Sequence, residues 1–177
     1  GMGITSCLGN TLEEVTESLR EAKSGITYSD EYESFGIKSR IRGRPSLTEG
    51  DFKELIPRKA LRFMGPNAQY AYVALERAIE NSGLKEEEYQ NNPRVASIIG
   101  QGGTSIQDVT DAVDAVKAQT KRWPTKVGPY RVTRTMGSTV SAVLSSQFKL
   151  QGPSFSISSA CSTGAHCIGV GMEQIQL

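Results

Sequence analysis

Histidine is nearly absent from this chain, which has one His, one Trp and three Cys in 177 residues. One imidazole rules out a His-rich metal centre, and Cys7, Cys161 and Cys167 lack metal-ligand spacing, so no metal site is expected. An odd set of three thiols in a chain of this length is not a disulfide framework. Reduced cysteines and a cytoplasmic location are therefore expected. Charge of one sign is lacking too: 20 basic against 19 acidic residues leave a net charge of +1. That balance gives no general attraction to nucleic acid, and no nucleic-acid motif is present. No apolar run approaches the roughly 20 residues that span a bilayer, and the first residues lack the basic and apolar regions of a secretory signal. What is there is a globular composition, 37% hydrophobic and 22% charged, of a length that fits one domain. Local patches of charge do occur, at Arg58, Lys59 and Arg62 and at Lys121, Arg122 and Lys126. A charge run of this kind is most often a solvated face.

Periodicity divides the chain into alternating helices and strands. Thr11-Leu12-Glu13-Glu14 has the capping-box form, and Leu12, Val15, Leu19 and Ala22 follow at helical spacing until Ser24-Gly25. Residues 28–51 are broken and polar, which predicts a surface excursion with a short hairpin. A long helix is expected over Pro66 to Asn81, closed by Gly83. The nearly continuous apolar run from Arg94 to Gly100 reads as a buried strand of the parallel kind. It leads into Gln101-Gly102-Gly103-Thr104 and a helix from Ser105 to Gln119. A Gly-rich loop at the carboxyl end of such a strand is where α/β sheets place ligands, although no phosphate-binding fingerprint is present. A tight turn needing positive φ fits the two glycines equally. A further helix, Gly137 to Lys149, precedes an alternating strand, Pro153 to Ser158. This alternation predicts a layered α/β fold.

The segment Ser158-Ser159-Ala160-Cys161-Ser162-Thr163-Gly164 joins that last strand to a helix rich in small residues. A cysteine at a strand-to-helix turn places its sulfur near unpaired helix N–H groups, which favour thiolate and can hold an oxyanion. The arrangement suits acyl transfer through a thioester, and the small neighbours are what a crowded elbow requires. The same spacing also fits a buried, inert cysteine. His166, five positions on, is turned about 140° around the helix from Cys161 at ~100° per residue, which opposes a Cys–His dyad and leaves it structural. Cys7 and Cys167 read as structural. Gly164, Ala165, Gly169 and Gly171 predict close packing of this helix at a buried position.

The segment from Ser156 to Gly169 resembles the nucleophile segment of the β-ketoacyl-acyl-carrier-protein synthases, type I branch. Gly1-Met2-Gly3-Ile4-Thr5-Ser6, Tyr89-Gln90-Asn91-Asn92-Pro93-Arg94-Val95 and Val127-Gly128-Pro129-Tyr130 agree in the same order. The resemblance implies a thiolase-like layered α-β-α-β-α fold, of which residues 1–177 make the amino-terminal half-domain, a fragment truncated at both ends. It implies that Cys161 takes an acyl group from a phosphopantetheine thioester and that a malonyl-carrier thioester then condenses with it, losing carbon dioxide. The two histidines and the lysine that the family uses for that second step are expected in the other half, so the fragment alone is expected to be inactive. Gly102, Gly103 and Thr104 are implied to lie against the acyl chain, and Met136 to reach a partner subunit's acyl pocket. Lys59, Arg62 and Arg122 are implied to dock an acidic acyl carrier protein, while Lys126 is one position off the family pattern. The expected partners are acyl carrier protein, acyl and malonyl thioesters and a second copy in a homodimer, with neither nucleic acid nor membrane. No cofactor is expected beyond the phosphopantetheine that substrates carry. The alternatives are a polyketide ketosynthase or thiolase on the same fold, and a non-catalytic carrier-binding subunit. A cysteine hydrolase would need a base that the chain does not offer.

Overall fold

The computed structural model describes residues 1–118 and 123–177, and its chain forms two compact units. The first takes residues 1–55 and 73–83. Its helix α1 (Leu12–Arg20) starts at Thr11, where the capping box forms in full: the Glu14 N–H donates to Thr11 Oγ1 at 3.2 Å and the Thr11 N–H to Glu14 Oε2 at 3.2 Å. The helix stops at Arg20, short of the expected Ser24, because Ala22 turns left-handed at φ +52. Leu19 consequently remains largely exposed, and Val15 carries the burial. Strand β1 (Ile26–Tyr28) pairs antiparallel with β2 (Ile41–Gly43), and helix α2 (Asp30–Ser34) lies between them, so the expected hairpin forms around a helical insert. Helix α3 (Glu49–Leu55) contributes the buried Phe52.

Helix α5 (Pro66–Ser82), which follows the short α4 (Arg58–Leu61), begins in the second unit and ends in the first, closed by Gly83 at φ +73. Its last turns receive the chain's first residues. The Met2 N–H donates to Asn81 Oδ1 at 2.9 Å, and a Cβ on Gly1 or Gly3 would stand 1.9 Å from the carbonyl oxygen of Ala78 or Ala74. Only glycine permits the two backbones to lie so close.

The second unit, residues 56–72 and 84–177, holds the short helix α6 (Glu86–Tyr89) and a two-stranded parallel ribbon. Strand β3 (Ser97–Gly100) pairs with β4 (Ser154–Ile157) in the register Ser97↔Ser154 to Gly100↔Ile157. β3 is shorter than the run from Arg94 predicts, and only Ser97 in it is buried: Arg94 lies in a turn, the Val95 N–H donates to the Asn92 carbonyl at 3.1 Å, and the ladder begins at Ser97. Helix α7 (Ile106–Lys117) leaves the β3 loop, and it packs on α8 (Trp123–Val127) and α9 (Arg131–Thr135). Helix α10 (Thr139–Gln147) packs on both strands, burying Val140 and Leu144, and Phe148 just past its end meets Tyr72 at 5.1 Å between ring centres. Asp108 is buried at the start of α7, takes the Ser105 hydroxyl at 2.6 Å, and faces Arg131 and Arg134. The neighbouring Asp111 accepts from Arg131 at 2.6 Å and from Gln107, which holds its carboxyl below the ordinary carboxylate range. Among the described residues, no helix is long and apolar enough to cross a membrane.

Candidate active site

Strand β4 delivers the chain to a one-turn 3₁₀ segment, Ala160–Ser162, which passes directly into helix α11 (Thr163–Gln176). Cys161 occupies the middle of that turn and is exposed. The turn is strained, since Ala160 adopts φ +48, a left-handed conformation that costs a non-glycine residue about 1–2 kcal/mol. The smallness of Ala160 was legible in the sequence, but its sign of φ was not.

Hydrogen bonds across the turn offset that strain. Thr163, buried at the head of α11, accepts the Ser159 N–H at 2.8 Å and donates to the Ala160 carbonyl at 2.7 Å. The Ser162 N–H donates to the Ser159 carbonyl at 3.0 Å. His166 meets the turn at Ser159: its Nδ1 stands 2.7 Å from Ser159 Oγ. Thr163 and Cys167 also set how closely α11 approaches β3. A Cβ on Gly100 would lie 2.1 Å from Thr163 Cγ2 and 2.8 Å from Cys167 Sγ. The close packing expected of the helix's own glycines is therefore located on the strand instead. Gly164, Gly169 and Gly171 have nothing within 4 Å of a built Cβ, and Gly164 and Ala165 are exposed, because α11 turns its Thr163–Cys167 side to the sheet. Cys7 belongs to the first unit, its sulfur against Gly25 and Gly43.

The glycine loop comes alongside the elbow, with a Cβ on Gly102 3.7 Å from the Ala160 carbonyl oxygen. Neither Gly102 nor Gly103 has positive φ, which removes the tight-turn reading of the pair. Side-chain amides tie this loop to its neighbours. Asn67 Nδ2 donates to the Gly103 carbonyl at 2.7 Å and to Gln101 Oε1 at 3.0 Å, and Gln101 Nε2 donates to the Gly137 carbonyl at 3.1 Å. No motif marks Asn67, which is 34 positions from its amide partner. Thr104 is half-buried beside this network.

Met136 and Lys59, assigned separate roles by resemblance, line one cavity of about 420 Å³ together with Ala60, Phe63, Ala142 and Val143. Both Lys59 and Arg62 are exposed, and the Arg62 carbonyl accepts from Arg134 Nε at 2.9 Å. Arg122 lies outside the described residues, and Lys126 is exposed on α8. Among the described residues, no group of three His, Cys, Asp or Glu side chains is placed to hold a metal.

This α/β arrangement is a thiolase-like fold. A solved β-ketoacyl synthase from Burkholderia phymatum superposes with a TM-score of 0.80 at 23% identity, over 99% of this chain and 42% of that one. A type II polyketide ketosynthase, solved with its acyl-carrier protein, superposes with a TM-score of 0.73 at 19% identity, over 99% of this chain and 45% of that one. The model for the β-ketoacyl synthase N-terminal domain matches residues 1–177, and the chain belongs to that family. The 3-oxoacyl-[acyl-carrier-protein] synthase 1 of Escherichia coli K12 is 48% identical over all 177 residues, so this chain spans 42% of that relative's length.

Proposed function

We propose that the protein is a 3-oxoacyl-[acyl-carrier-protein] synthase of fatty-acid elongation, with Cys161 as its nucleophile. The observation that carries this reading is the exposed Cys161 on a strained turn between β4 and α11, inside a whole-chain match to a synthase of that activity. The Cys161 thiol gives up its proton, the thiolate attacks the carbonyl of an acyl thioester, the new S–C bond forms as the bond from that carbon to the phosphopantetheine sulfur breaks, and the departing thiolate takes up the proton that Cys161 released. The Cys161 N–H serves as one oxyanion donor. A malonyl-carrier thioester then loses carbon dioxide, its carbanion attacks the acyl carbon, and the Cys161 thiolate departs from the new β-ketoacyl product. The loop of Gly102, Gly103 and Thr104 borders the acyl chain, and Lys59, Arg62 and Arg122 receive the acidic carrier.

The polyketide ketosynthase compared above is 19% identical and supports the fold alone, and the retained Cys161 argues against a non-catalytic subunit. Unpaired thiols at all three cysteines fit a cytoplasmic setting. Given acyl- and malonyl-carrier thioesters, the synthase at the full length of its relatives, carrying this segment, should release carbon dioxide and β-ketoacyl-carrier product. Lys59→Glu with Arg62→Glu should raise the KM for carrier-borne substrate several-fold and leave coenzyme A thioesters unaffected. Failure to form product from any acyl donor would refute the synthase reading. A homodimer is part of it, supported by the exposed apolar row Ile106, Val109, Val113 and Val116 on α7. Sedimentation velocity should give twice the chain mass, and a monomer at micromolar concentration would remove the dimer.

A further inference from the structure

Ser159 is gripped twice by one face of α11. Its N–H donates to Thr163 Oγ1 at 2.8 Å, and its Oγ meets His166 Nδ1 at 2.7 Å. Thr163 and His166 are three positions apart, so both point to the same side of the helix. Ser159 in turn receives the Ser162 N–H on its carbonyl, which bridges over Ala160 and Cys161. The left-handed Ala160 thus hangs between one residue fixed from two directions and a helix that does the fixing. Left to itself, an alanine there relaxes toward right-handed backbone, and the following sulfur and N–H swing with it.

Thr163 accounts for the backbone half of the grip. The side-chain half belongs to His166, and nothing in the acyl-transfer chemistry above uses that imidazole. We propose that His166 is a positioning residue: its Nδ1 contact with Ser159 Oγ holds the turn in the geometry that presents Cys161. The inference rests on the acyl-transfer reading of Cys161 for its consequence, but not for its geometry. His166 touches no reacting atom. A serine hydroxyl donates as readily as it accepts, so the contact serves either imidazole tautomer.

Two rates in the synthase at the full length of its relatives test this: single-turnover acylation of Cys161 by an acyl-pantetheine thioester, and alkylation of Cys161 by iodoacetamide, both followed by peptide mass. His166→Ala should slow both about fivefold, the worth of one net hydrogen bond. His166→Asn places a polar atom where Nδ1 stood and should restore the rates. His166→Gln, which reaches to the Nε2 position instead, should not. Ser159→Ala should match His166→Ala, and the double variant should be no slower than either single one. A His166→Ala chain with unaltered rates, or losses that multiply in the double variant, would overturn the proposal. If His166→Ala fails to fold, the Asn, Gln and Ser159→Ala variants decide it in the same way. Should the unaltered chain resist acylation while alkylation follows this pattern, the synthase reading falls and the positioning role stands. Acylation that proceeds normally and ignores His166 gives the converse.

Discussion

In the synthase at the full length of its relatives, Cys161→Ala is expected to abolish covalent acylation and to lower condensation on the order of 10⁴-fold or more. Removing a covalent nucleophile forces the substitution through an uncatalysed single step, and the rest of the site recovers only what binding and the oxyanion donor supply. Intact mass should show one acyl adduct on the unaltered chain and none on the variant, with the modified peptide spanning Cys161. Cys7→Ala should leave the adduct in place, since that sulfur lies in the first unit against Gly25 and Gly43. An adduct mapped to Cys7 or Cys167 would contradict the assignment. Cys161→Ser should also fail, because a serine hydroxyl is not ionised at neutral pH and this turn offers it no base: His166 Nδ1 is engaged by Ser159.

The second large effect is on stability. Gly100→Ala puts a methyl group 2.1 Å from Thr163 Cγ2, 2.8 Å from Cys167 Sγ and 3.0 Å from the Ile157 carbonyl oxygen. Thr163 cannot turn aside, because its hydroxyl is committed to Ser159 and Ala160, and the Ile157 carbonyl is part of the parallel ladder. Either α11 moves off the sheet or the ribbon opens. Such overpacking costs about 3 kcal/mol, near the upper end for one added methyl. At this chain length that lowers Tm by roughly 10 °C. Calorimetry on the full chain checks it, and a variant melting within about 2 °C of the unaltered chain would show that the helix does not approach as closely as described. Acylation should fall as well, because the displaced Thr163 anchors the turn that carries Cys161.

Local chemistry made much of the fold legible. The Thr11 capping box and Gly83 mark real helix ends, since both act within one turn of chain: a side-chain oxygen on an N–H three residues on, a positive φ that only glycine adopts cheaply. The apolar run to Gly100 and the alternation to Ser158 became paired parallel strands, although β3 begins three residues later than expected, at Ser97. The position of Cys161 at the strand-to-helix turn was likewise readable, because strand, small residues and helix succeed one another in sequence. The glycines of α11 misled, for composition does not say which face of a helix meets the sheet.

Sequence alone therefore determined the order of elements, the turn that carries the thiol and the family to which the chain belongs, all matters of residues near one another or of whole-chain resemblance. Tertiary structure decided what holds that turn. Asn67 bonds to Gly103, Gln101 to Gly137, and Gly100 admits Thr163 across 63 positions of chain. A hydrogen bond or a van der Waals contact depends on distance in space, and nothing in the spacing of these residues along the chain encodes that they meet.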